Sequence, residues 1–163
     1  MKTNDKRQGF TIIEVVLVLA IAGLIFLVVF LALPALQRSQ RDTQRKSDLG
    51  RFMSQLNNYQ SNHQGNIPTG TGSGAWDTAF VTPYLTNNGQ TFNDPQSAST
   101  YTVNVVGSTI PATAPTVATS NIYVYTNARC DATATSGLNT GNGTRSVAAL
   151  IGVEQGGTYC QNN

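Results

Sequence analysis

From Phe10 to Leu33 the chain is apolar apart from Thr11 and Glu14, and no polar position recurs to make one side of a helix wet. At about 1.5 Å per residue those residues span roughly 36 Å as a helix, enough for a hydrocarbon core of about 30 Å. Beyond Gln37 the pattern changes: Leu49, Phe52, Met53, Leu56 and Tyr59 recur at helical spacing among Arg, Asp, Gln and Asn. That spacing predicts a continuation of the helix to about Asn62 with one greasy face, since Gly50 weakens a helix by only about 1 kcal/mol relative to Ala. Gly65 to Gly74, with Pro68, closes it as a loop.

The rest of the chain changes period. Trp76, Phe80 and Tyr84 are spaced by four, which predicts a short helix or turn ending near Pro83 with Trp76 in the core. Thr100–Val106, Asn121–Asn127 and Ser146–Val153 read as strands, and the last is apolar almost throughout, as in a central or well covered strand. Pro111 and Pro115 lie in the loop between the first two, and a glycine-rich connection joins the second and third. The expected fold is therefore α+β, a long N-terminal helix packed against a small antiparallel sheet. Its divisions are 1–9 before the helix, 10–36 and 37–62 for the apolar and amphipathic halves, and 63–163 for the sheet domain.

Within the apolar run the chemistry concentrates on Glu14, because a carboxylate in a bilayer costs about 2 to 3 kcal/mol on insertion scales and marks function. A cut after Gly9 would create an amine on Phe10 one helical turn from Glu14, and the two could pair as charges. An amine at the helix start sits at the positive end of the macrodipole, so the Glu14 of a neighbouring copy is the better partner. The pattern implies packing of like helices.

Lys6, Arg7, Gly9, Phe10, Thr11 and Glu14, followed by the apolar run, resemble the signature of type IV pilins and pseudopilins. The resemblance implies a pilin fold and a leader, residues 1–9, removed by a prepilin peptidase between Gly9 and Phe10. It further implies N-methylation of Phe10 and assembly through Glu14 into a helical homopolymer. The implied partners are other copies of the chain, membrane lipid before assembly, and an inner-membrane platform with a cytoplasmic ATPase. The implied location is a single-pass membrane precursor and then a surface pilus serving motility, adhesion or DNA uptake. A minor pilin or pseudopilin of a secretion or DNA-uptake machine shares the signature. Gly23 resembles the glycine the family places in this helix, Pro34 falls a few residues later than its usual proline, and Tyr84-Leu85, Asp94-Pro95 and Tyr101 resemble the spacing in small pseudopilin domains.

Other readings of the apolar run are weaker. A secretory signal would have an apolar region of about 7 to 15 residues ending at a small-residue site, and this run is longer. A plain signal anchor, or a membrane-anchored adhesin that keeps its leader, would leave Glu14 merely near the interface. Charge counting points the other way as well: Arg38, Arg41, Arg45, Lys46 and Arg51 follow the span and would favour a cytoplasmic C-terminal side. The leader motif and the two cysteines argue for an oxidising exterior instead. Those basic residues either meet lipid head groups or form a solvated face with Asp42 and Asp48 as local partners.

Composition narrows the remaining possibilities. Only 11% of residues are charged, and losing residues 1–9 removes three cations and one acid, taking the formal charge from +2 to 0. No strongly basic domain offers itself to nucleic acid, and a surface of Thr, Asn, Ser and Gly suits copies packed side by side. No phosphate loop or zinc pattern occurs, and the single His63 reads as a helix-end side chain, so an enzyme, a cofactor or a metal is not expected. Asp77, Asp94 and Asp131 form no recognisable calcium loop, while Asn142-Gly143-Thr144 matches a glycosylation triplet. Cys130 and Cys160, the only cysteines, are either one disulfide, the economical reading for an exported domain, or two buried thiols. In pilins a bridge near the C-terminus encloses a variable surface region, and the resemblance implies the same for this pair.

Overall fold

The computed structural model describes residues 9–87, 91–141 and 143–163. Helix α1 runs Ile12–Asn62, unbroken through Gly23, Pro34 and Gly50. The chain forms two compact units, one ending at Gln37 and the other comprising Arg38–Asn163. In the first, the apolar side chains of α1 are exposed, from Ile12 at 85% to Leu31 at 82%. In the second, α1 buries Asp42, Arg45, Leu49, Phe52, Met53 and Leu56. The end of α1 is closed by Gly65, whose N–H donates to the Gln60 carbonyl at 2.6 Å with φ +82. A side chain there would be strained by the positive φ and would have to displace the Arg145 guanidinium, so the backbone conformation favours glycine.

Among the described residues seven strands follow: β1 Gly72–Ser73, β2 Thr102–Gly107, β3 Asn121–Thr126, β4 Ala128–Cys130, β5 Leu138–Thr140, β6 Val147–Gly152 and β7 Thr158–Asn162. The main sheet has the order β1-β2-β3-β6-β7, and β4 with β5 makes a separate pair. The sheet is mostly antiparallel, but β2 and β3 run parallel, a departure from the expected all-antiparallel pairing. Parallel neighbours need a crossover of about a dozen residues, which the proline-containing loop between Gly107 and Asn121 supplies without a helix. The middle strand is β3, while β6, buried at every position, is the best covered.

The apolar run of β6 is explained by cover on both faces of the sheet. Val147, Ala149 and Ile151 join the larger core with Leu49, Phe52, Leu56, Trp76, Phe80 and Val124. Ala148 and Leu150 point the other way, into a second core with Val117, Tyr125, Ala128 and Leu138. The crossover loop presses so closely there that a Cβ on Gly152 would collide with the Val117 carbonyl. The structure corrects the expected helix end near Pro83. Asp77–Thr86 is a π-helical segment that continues past it. Its five-residue bonds, Val81 N–H to the Trp76 carbonyl and Asn87 N–H to the Thr82 carbonyl, put Trp76, Phe80, Val81 and Leu85 on one buried side.

Candidate assembly site

Gly9, Phe10 and Thr11 precede α1, and Phe10 is 90% exposed. Glu14 does not lack partners within its own chain. Its Oε2 accepts the Thr11 N–H at 2.8 Å and the Thr11 hydroxyl at 2.7 Å, while Glu14 N–H donates back to Thr11 Oγ1 at 3.4 Å. This is a capping box, in which an N-cap hydroxyl and the acid three residues on satisfy each other's orphan donors. The Thr-x-x-Glu signal is present in the sequence at Thr11 and Glu14, and the charge-pair reading passed over it. An open groove lined by Phe10, Glu14, Val15, Val18 and Leu19 runs beside the carboxylate. The stretch is long and apolar enough to cross a membrane, and none of it is buried within the chain.

Among the basic residues after the span, Arg45 pairs with Asp42 and Arg51 with Asp48, as the local-partner reading has it, but Arg45 is not part of a solvated face. Arg45 is fully buried and forks to three carboxylates: Nε to Asp94 Oδ1 at 2.7 Å, Nη1 to Glu154 Oε1 at 2.7 Å and Nη1 to Asp42 Oδ1 at 3.0 Å. Arg41 closes the cluster with two 2.6 Å bonds to Glu154. Hydrogen bonds from Arg41 first, and from Arg45, hold the Glu154 carboxyl at about 2, below its ordinary 4.5. Burial pushes Asp94 up, but the Arg45 hydrogen bond and the Ser97 N–H outweigh it and its pKa is lowered. Burial also raises Asp48, against the Tyr101 hydroxyl that donates to it and the nearby Arg51. Asp42 and Asp48 were visible as local partners, of Arg45 and Arg51; Asp94 and Glu154 lie 49 and 109 residues away from Arg45.

The cysteines are joined, Cys130 to Cys160, with a Cα separation of 5.8 Å. The bond ties β4 to β7, and both residues pack on the second core. His63 stacks on Tyr59 at 3.8 Å, and its Nδ1 lies 2.9 Å from the Tyr59 carbonyl oxygen, which places it at the helix end. Trp76 is fully buried in the larger core. Asp94 is committed to Arg45, and Asp131 accepts from Thr133 and Asn139. Lys2, Lys6, Arg7 and Asn142 of the glycosylation triplet lie outside the described residues.

Residues 4–30 match the family model described as the prokaryotic N-terminal methylation motif. No curated protein and no solved structure matches the chain. The chain thus carries the type IV prepilin signature, a motif that implies processing by a prepilin peptidase and supports a pilin-like precursor. The family of the motif is structural rather than enzymatic.

Proposed function

We propose that this chain is a structural subunit of a type IV pilus-like surface filament, cleaved between Gly9 and Phe10 and methylated on the new N-terminus. The observation that carries the reading is the division of α1. Its apolar half has no cover of its own, while the amphipathic half already has a complete core. Such a half needs lipid or copies of itself, and packing among identical helices can replace lipid contact. In the precursor the Phe10 nitrogen is an amide and Glu14 caps its own helix through Thr11. Cleavage supplies an ammonium, and the Glu14 of a neighbouring copy exchanges its local hydroxyl for that cation in a low-dielectric bundle. The exchange takes place at one axial offset, so the pair sets register as well as affinity. Extraction from the membrane falls to an assembly platform driven by a cytoplasmic ATPase.

The experiment is mass spectrometry of sheared surface fibres. The reading requires an N-terminus at Phe10 carrying a methyl group, with this chain as the bulk component. An intact leader on assembled protein would overturn it, and a trace amount within fibres of another subunit would assign a minor or pseudopilin role instead.

A further inference from the structure

Two chain segments rest on α1 without an apolar residue in either core. The first, residues 93–100, is closed by the Asn93–Thr100 bridge and is exposed from Gln96 onward. The second, residues 153–157, is the turn from β6 into β7. Neither contributes to the two hydrophobic clusters. Their ties to the helix are polar: Asp94 and Gln96 to Arg45 in the first, Glu154 to Arg41 and Arg45 in the second. Carboxylates also organise the backbone of each segment, from within the first and from α1 in the second. Asp94 accepts the N–H groups of Gln96 and Ser97, and Asp42 of α1 accepts those of Glu154 and Gln155. Ala98 adopts φ 54, a left-handed conformation that costs a non-glycine residue energy and persists where surrounding bonds enforce it.

We infer that Arg45 is the shared pin of a two-segment clasp, so that residues 93–100 and 153–157 open and close on α1 as one unit, separately from the sheet. The physical reason is the fork of one guanidinium. Its Nε holds one segment and its Nη1 the other, and it is fully buried. Opening either segment leaves a buried cation short of a partner, which weakens its hold in that position and with it the other segment. Segments fastened by polar bonds rather than core contacts belong to the low-stability end of a fold and open locally. Closed, the clasp hides Arg45 and neutralises Arg41; open, it presents both beside Arg38 and Lys46 on α1. The clasp does not depend on how the chain is processed or assembled.

Backbone hydrogen exchange of the full chain in neutral detergent micelles tests this through cross-effects. Glu154→Gln should speed exchange at Gln96 and Ser97, which it does not touch, by about tenfold or more, and Asp94→Asn should do the same at Glu154 and Gln155. The amides of β6 should keep their protection. Acceleration confined to the substituted segment would mean two independent loops and would overturn the clasp. Equal acceleration in β6 would make the cluster part of the global fold and would overturn it too. If either variant fails to fold, Arg45→Lys keeps the charge but cannot reach both acids with a planar fork, and both segments should then exchange faster together.

Discussion

Along one helix, residue type does not by itself decide burial. Between Ile12 and Gln37 the side chains are almost all aliphatic or aromatic and stand exposed; between Arg38 and Asn62 a fully charged Arg45 has no exposure at all. Hydrophobicity states how much a group gains by leaving water, but a partner must exist to receive it. Leu49, Phe52 and Leu56 find theirs in the sheet and the π-helical segment, and Arg45 finds three carboxylates. The first half of α1 has none within its own compact unit. One half is finished by folding, and the other finds no cover among the described residues.

The comparison breaks most completely at Glu14. Glu14→Val should leave cleavage and membrane insertion intact while abolishing incorporation into fibres, read by immunoblot of membrane and sheared-fibre fractions. Normal fibres from this variant would refute the charge exchange. In the finished half, Phe52→Ala should cost about 3 to 5 kcal/mol in denaturant unfolding of the Arg38–Asn163 unit, whereas Val18→Ala should not move that transition. Removing the disulfide with Cys130→Ser and Cys160→Ser should cost about 3.6 kcal/mol, since the bond closes 30 residues, and loosen Asp131–Gln161 more than α1.

A pH titration of unfolding separates the charged contacts. Glu154, depressed from 4.5 to about 2, and Asp94, also lowered, give stability that is complete above their ordinary values and is lost as pH falls through the folded ones. Asp48, raised by burial, has the opposite sign: its penalty is full above its folded pKa and disappears as pH falls through it. Stability should therefore decline between about pH 4.5 and 2, and Glu154→Gln should flatten that decline. Asp48→Asn should instead remove the opposing rise. The smallest expected effect is Thr11→Val, which removes the cap hydroxyl for about 1 kcal/mol of helix-start stability but leaves the carboxylate, so fibres should still form. If Thr11→Val abolished fibres as Glu14→Val does, capping rather than charge would be the role of Glu14.

The legible parts of the fold are those with a local signal. The end of α1 near Asn62 and the cores of β2, β3 and β6 follow from periodicity and from glycine and proline placement. The short strands β1, β4 and β5 carry too few residues for alternation to register, and β7, Thr-Tyr-Cys-Gln-Asn, alternates without an apolar face. The spacing of Trp76, Phe80 and Tyr84 predicts a short helix or turn ending near Pro83. A π-helical segment passes through it with bonds placed on neighbouring turns. At the candidate site, the Thr11–Glu14 box was written in the sequence and could have been found by its three-residue spacing.

By itself the sequence determined a membrane-length helix headed by a prepilin signature, its amphipathic continuation and the segments with strand character, because each depends on residues a few positions apart. Tertiary structure alone decided that β2 and β3 lie parallel and which residues cover each face of β6. It also decided that Arg45, one of five cations following the span, is buried on Asp94 and Glu154. Charges within reach along a helix can be read from spacing. Charges brought together by a sheet cannot, because their distance is set by the packing of all the chain between them.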